Sequence, residues 1–352
     1  MALGGDPRTA TLPGMTTDCP VIVRSPSELV AVLPFLLGYH PANSVAVVGL
    51  SGPEVDFGAC YELPPPDEDP HVAARSVAVT VARQASPSVV LVGFGPPARI
   101  TPAVLRLAEA LRQLGVRVND VLRVTDRRWW SYFCGDLHCC PDEGTPCLPP
   151  DSVVAAEATF RGEVALPSRR ALTAQVAAME GPERAAMADA TEHARKRFSG
   201  LLTDELNARR CSRRIRHAGQ IAVRRAETRY RSGHGIDLAE TAWLGVLLAD
   251  RAVEDYALDR VGPQEWRIRL WTDVLRRVEP VYVPAPACLL GFTAWRAGRG
   301  ALARVAVDRA LATEPQHQLA GLLHQILGFG LSPHMVGDGF RPGRTRRRRR
   351  AR

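Results

Sequence analysis

The sequence predicts an α/β region, three-layered around a mainly parallel sheet, followed by an all-α helical region with one tetratricopeptide-like hairpin. Short apolar runs of strand length at 45–50 and 88–92 alternate with capped helical patterns up to about residue 160. From 168 to 331 the apolar period is helical, broken only by Gly, Pro and short polar turns. The strand–helix–strand succession implies right-handed crossovers and therefore parallel neighbours.

Residues 1–20 read as a flexible N-terminal segment with neither a basic nor an apolar signal-peptide region, and Met15 is an alternative start. The α/β region occupies 21–160. Ser25-Pro26-Ser27-Glu28 is a capping box with proline at the first helical position, opening a helix to about Leu37 that stops at Gly38. Strands are expected at 45–50 and 55–63, then a helix at 71–85 and a buried strand at 88–92. Thr101-Pro102 is expected to cap a helix ending at Gly115, followed by strands at 116–124 and 129–133. The helical region covers 161–335, and 336–352 is an Arg-rich tail expected to be disordered. Leu290-Gly291, Ala303, Val307, Ala310 and Pro315 follow the spacing of one tetratricopeptide-like hairpin, with Ala287 and Ala294 where its Trp and Tyr would stand. One such hairpin cannot bury its own face, so it must pack on neighbouring helices.

At 46% hydrophobic and 23% charged residues the chain has globular composition, and it lacks an apolar stretch long enough for a transmembrane helix. Eight cysteines without a signal sequence are expected to be reduced, in the cytoplasm. The net charge of +8 is unevenly spread. Residues 1–192 carry 15 basic and 22 acidic side chains, 193–231 carry 12 and 3, and 232–340 carry 10 and 12. The tail from 341 to 352 adds eight arginines and no acid. In 193–231, helical spacing aligns Arg210, Arg213, Arg214 and His217 on one face, which is solvated, paired with the acidic first half, or in contact with an anion or nucleic acid.

In open α/β sheets, ligands bind beyond the carboxyl ends of parallel strands. Gly93-Phe94-Gly95 and Asp126-Arg127-Arg128-Trp129 lie at two such ends, and the free N–H groups of a helix starting at Thr101 would lie nearby. This edge is the candidate site for a small anionic ligand, with Arg127 or Arg128 as its charge partner. Pro96 and Pro97 remove donors from it, and neither G-x-G-x-x-G nor a Walker pattern is present. Gly49-Leu50-Ser51-Gly52 lacks the spacing of a nucleophile elbow. His40, before the first strand, reads as a turn-closing histidine on the opposite side of the sheet, unless that strand is antiparallel to its neighbours.

The densest chemistry is in 127–147, where Arg127, Arg128, Trp129, Trp130, Tyr132 and Phe133 precede Cys134, His138, Cys139, Cys140, Glu143 and Cys147. Alternation along a strand sends Trp129 and Phe133 to one face and Trp130 and Tyr132 to the other, as suits a sheet covered on both sides better than a base-stacking platform. Four thiols and an imidazole invite zinc, yet adjacent cysteines usually diverge and C-x4-C-C is not the common knuckle spacing. Packed thiols in an ordered loop are the favoured reading, with zinc or a reactive thiol pair at Cys139 and Cys140 as alternatives. No cofactor is expected otherwise.

The run Leu33-Pro34-Phe35-Leu36-Leu37-Gly38-Tyr39-His40-Pro41 with Asn43-Ser44-Val45, together with Arg128-Trp129-Trp130-Ser131-Tyr132, Cys134, Cys139-Cys140-Pro141 and Glu143-Gly144, closely resembles the actinobacterial family of the domain of unknown function 4192. Trp295-Arg296-Ala297-Gly298 and Ala310-Leu311 also fit. The resemblance implies a lineage and a cytoplasmic setting, and it singles out His40, Trp130, Tyr132, Cys134, Cys139, Cys140 and Glu143 as motif residues. The family's Arg-x-Asp-Leu-Pro on the second strand is replaced here by Cys60-Tyr61-Glu62-Leu63-Pro64, and Cys147 has no place in the pattern. The sequence thus predicts a ligand-binding, regulatory α/β region fused to a helical interaction region. The alternatives are a nucleic-acid-associated protein acting through 193–231 and the tail, and a cysteine-dependent or zinc enzyme. A protein partner is allowed; a membrane is not expected.

Overall fold

Ser25, in extended backbone, accepts the Glu28 N–H, and Pro26 takes the first helical position of α1 (Pro26–Leu37). Gly38, at φ 77°, ends the helix as its sequence requires. In the computed structural model, residues 22–63, 70–160, 163–202, 208–331 and 333 are described; the expected N-terminal segment 1–20 with Met15, and the 336–352 tail, lie outside them. The elements β1 (Ser44–Ser51), β2 (Glu54–Glu62), α2 (Pro70–Ala82), β3 (Ser88–Phe94), α3 (Pro97–Gln113), β4 (Val118–Thr125), β5 (Arg128–Ser131) and β6 (Thr145–Pro146) then build one sheet in the order β2-β1-β3-β4-β5-β6.

The sheet is mixed, which corrects the expectation of a mainly parallel one. Among the described strands only β3 and β4 pair in parallel, across α3, while the other four strand pairings are antiparallel. The physical reason is connection length. The two-residue links β1–β2 and β4–β5 are too short for a crossover and can only close hairpins. In the second, Asp126 and Arg127 both take left-handed backbone, at φ 50° and 60°, the conformation of a type I′ turn. The longer β2–β3 connection returns the chain beyond β1, so β3 pairs antiparallel to it.

Alternate residues of the central strands enter two cores. Val45, Val47, Val89, Leu91 and Val121 face Ala78 and Val81 of α2 and the apolar stripe of α3. Ala46, Val48, Val90, Val92 and Leu122 face Leu29 and Leu33 of α1 and a cluster that continues into the helical region. Burial on both faces explains why β1 and β3 read as unbroken apolar runs. The helix expected to start at Thr101 instead starts four residues earlier. Pro96 is its cap and Pro97 its first residue, and Pro102 lies inside at the cost of one backbone hydrogen bond.

Beyond the sheet come α4 (Val153–Phe160), α5 (Arg169–Gln175), α6 (Pro182–Ser199), α7 (Ala208–Arg231), α8 (Leu238–Leu248), α9 (Arg251–Leu258), α10 (Glu265–Arg277), α11 (Pro284–Arg296), α12 (Gly300–Thr313) and α13 (Gln318–Gly328). The expected hairpin falls on α11 and α12. Gly291 permits their close approach, since a Cβ there would stand 2.7 Å from Val307 Cγ2. The two regions meet through the Tyr39–Leu166 bridge, an Arg169–Glu62 ion pair of 2.6 Å, and the Gln84 amide donating to the Gly330 carbonyl. Among the described residues, no helix is long and apolar enough to cross a membrane.

Candidate functional site

The antiparallel β1 changes the neighbourhood of His40. The amino end of β1 lies at the carboxyl ends of β3 and β4, with Ser44 opposite Phe94, so His40 and Asn43 share the edge of Gly95 and Asp126. The exception allowed for an antiparallel first strand therefore applies. His40 is exposed and its N–H donates to Leu166 O at 2.8 Å, closing the turn onto the helical region.

The donors expected at this edge are largely engaged. Gly93 lies inside β3, paired with Val45 and Arg123. The Gly95 N–H donates to Val124 O at 3.0 Å, and its carbonyl accepts the Thr125 hydroxyl at 2.6 Å. With α3 starting at Pro97, Thr101 offers no free N–H, and those of Arg99 and Ile100 donate back to Pro96 O. The Arg128 guanidinium donates to Glu143 O at 2.7 Å and Gly144 O at 2.6 Å. Asp126 and Arg127 remain exposed.

The tryptophans anchor β5, next to the sheet's edge. Trp129 is buried and donates from Nε1 to Ser27 Oγ at 3.1 Å. Trp130 donates to Asp142 O at 3.0 Å, while Arg123 stacks 4.0 Å above its ring. Tyr132 bonds Thr101 through its hydroxyl, on the other face from Trp129. These contacts hold the returning loop against β5. Gly144 is required there by its φ of 78° and because a Cβ would stand 2.4 Å from the Trp130 ring.

Within that clamped loop the thiols converge. Ligand atoms of Cys134, Cys139 and Cys140 lie within 4.8 Å of one another, correcting the expectation that the adjacent cysteines diverge. A turn causes this: the Asp136 carbonyl accepts the N–H groups of Cys139 at 3.1 Å and Cys140 at 2.7 Å, folding both back towards Cys134. The Asp136 carboxylate accepts the His138 N–H at 2.9 Å in an Asx turn. Asp136 was missed by sequence reasoning, although its position two residues before His138 is the signature of such a turn. The Ser131 hydroxyl, also unanticipated, accepts the N–H groups of Phe133 and Cys134 at 3.1 Å each and donates to Asp120 at 2.6 Å. Cys147 and His138 stand outside the thiol group, His138 being almost wholly exposed.

Cys134 and Cys140 differ electrostatically. A hydrogen bond involving the Asp136 backbone, then one from Cys140, lowers the Cys134 pKa. Burial, reinforced by hydrogen bonds to Cys134 and Cys139, pushes Cys140 up to about 12. A thiol whose proton is loosened, Cys134, thus stands beside one whose proton is held, Cys140. A soft dication can replace those protons.

A second surface stands on α7. Cys211, Ile215, Gly219 and Val223 form its buried stripe, leaving Arg209, Arg210, Arg213, Arg214, Arg216 and His217 exposed. Arg225 is paired with Glu240 at 2.6 Å, whereas no described carboxylate pairs with Arg209, Arg213, Arg214 or Arg216. Arg209 stands in the first turn of the helix, where its own dipole is positive, and the other three follow in the next two turns.

One family model, described as "Domain of unknown function (DUF4192)", matches residues 26–334. No curated protein and no solved structure matches the chain.

Proposed function

Because the chain belongs to the family of the domain of unknown function DUF4192, with both the thiol loop and the helices inside the shared region, we propose that it is a regulatory protein whose α/β region binds a soft divalent metal ion and whose helical region serves interaction. The ion, zinc in the first instance, is held by Cys134, Cys139 and Cys140, leaving one position for water or a small anionic ligand. The convergence of the three sulfurs on a loop clamped by Arg128, Trp130 and Asp136 carries this reading. A tetrahedral zinc thiolate has sulfur–sulfur edges of about 3.7 Å, so closing around an ion needs only local movement. The sheet with helices on both faces serves as a three-layer scaffold, and α11–α12 as a tetratricopeptide-like hairpin within the interaction region.

Zinc analysis of full-length protein purified without chelator tests the reading. The triple variant Cys134→Ser, Cys139→Ser, Cys140→Ser is expected to carry about one equivalent less zinc than the parent. Equal zinc content in parent and triple variant overturns it.

A second reading, nucleic-acid association, is favoured by the four exposed arginines on the N-terminal half of α7, whose like charges no described carboxylate pairs and an external polyanion would relieve. Duplex DNA binding should fall steeply with salt. Replacing Arg209, Arg213 and Arg216 by alanine should reduce the magnitude of that salt slope by at most about 2.7, at about 0.9 per lost phosphate contact. Deletion of 341–352 measures the tail separately. Absence of binding by the full chain at about 50 mM salt rejects this reading.

A further inference from the structure

The helical region contains a second group of metal-ligand side chains, drawn from three separate elements. Glu254 comes from α9, Cys288 from α11, and His317 is the N-cap of α13; their ligand atoms lie within 4.8 Å of one another. Cys288 is completely buried and its Sγ stands 3.6 Å from His317 Nδ1. His317 Nε2 faces Glu254 Oε1 at 3.8 Å, too far for a hydrogen bond, and that oxygen is buried without any hydrogen-bond partner. Asp255 and Glu314 add negative charge around the group, with Arg251 as the opposing cation.

Complete burial of Cys288 prevents it from meeting a substrate, so a nucleophilic role does not fit. A hydrogen-bonded relay leaves the Glu254 oxygen unsatisfied. A cation satisfies all three groups at once. We infer that Glu254, Cys288 and His317 form a divalent-metal site of the zinc class, separate from the sheet-edge thiols and independent of the function proposed above. The 3.6 Å between Sγ and Nδ1 matches the roughly 3.6 Å sulfur–nitrogen edge of tetrahedral zinc. The Glu254 carboxylate supplies the third donor and water the fourth. Binding displaces the Cys288 thiol proton to solvent, and Nδ1 exchanges the Ala320 N–H, now at 3.3 Å, for the ion.

The experiment uses the full chain carrying Cys134→Ser, Cys139→Ser and Cys140→Ser, stripped of metal and titrated with cobalt(II). About one equivalent should bind, giving near-ultraviolet thiolate-to-cobalt absorption and the visible bands of a tetrahedral ion. Adding Cys288→Ser should remove the thiolate absorption, and adding Glu254→Gln should weaken binding about 10–100-fold. His317→Asn, which keeps a side chain able to cap α13, should abolish binding while circular dichroism confirms that the helices remain. A folded triple variant that binds no cobalt overturns the inference, as does thiolate absorption that survives Cys288→Ser. Either result leaves the sheet-edge reading intact, because that site is already absent from the protein titrated.

Discussion

Glu227→Ala is expected to destabilise the protein by about 3–5 kcal/mol, the cost of leaving the largely buried Arg267 and the partly buried Arg260 without their counter-charge. Glu227 on α7 is 2% exposed and is bonded by two arginines from outside its helix. Arg260 Nε donates to Oε2 at 2.7 Å, its Nη2 to the same oxygen, and Arg267 Nη1 to Oε1 at 2.5 Å. Arg267 is itself largely buried, and burial lowers its pKa, so it cannot recover full hydration when the carboxylate is lost. The bonds hold α7 to α10 and to the turn after α9, and so fix the direction of the arginine face on α7. Urea unfolding followed by circular dichroism should show the midpoint falling with little change in slope. Apolar replacement of all three residues, Glu227→Met with Arg260→Leu and Arg267→Met, should recover most of the loss, because no buried charge then remains. A single-variant loss below about 1 kcal/mol would show that water compensates the arginines.

The same physics separates what could be read in the sequence from what could not. The start and stop of α1 were legible because Ser25, Pro26, Glu28 and Gly38 each act on backbone within one helical turn. The apolar runs of β1 and β3 were legible because two-sided burial removes polar alternation. Strand direction was not, since an apolar run carries no sense of direction. The information lay in the short β1–β2 and β4–β5 links, which read as hairpins only once Asp126 and Arg127 are allowed left-handed backbone. That one difference also moved His40 to the Gly95 edge. Thiol convergence was hidden for a similar reason. Divergence of adjacent cysteines holds for extended chain, whereas the Asp136 carbonyl gathers two successive N–H groups and turns the segment back. The Glu254, Cys288 and His317 group had no local signature, because its members lie on three helices whose packing alone brings them together.

Gly93→Ala is expected to cost about 2–3 kcal/mol, although the sequence places Gly93 on a candidate ligand edge. Its place within β3, paired on both sides to β1 and β4, makes it a packing glycine instead. A Cβ there would stand 2.2 Å from Ile100 Cγ2 and 2.8 Å from Val104 Cγ1. Both neighbours are β-branched and helical, hence nearly fixed about χ1, so neither can swing aside. The helix must lift from the sheet, straining a stripe in which Ile100, Val104 and Leu111 are all fully buried. This differs from Gly95, where a φ of 141° is the constraint and the nearest atom is Asn43 Oδ1 at 3.1 Å. Ile100→Ala removes the closest methyl and leaves a cavity, so each single change should destabilise. Together they should cost about 1 kcal/mol or more less than the sum, since the new methyl occupies part of the space vacated. A double-mutant cycle in urea measures that coupling. Additivity within about 0.5 kcal/mol would mean that the sheet, rather than α3, yields to the new methyl.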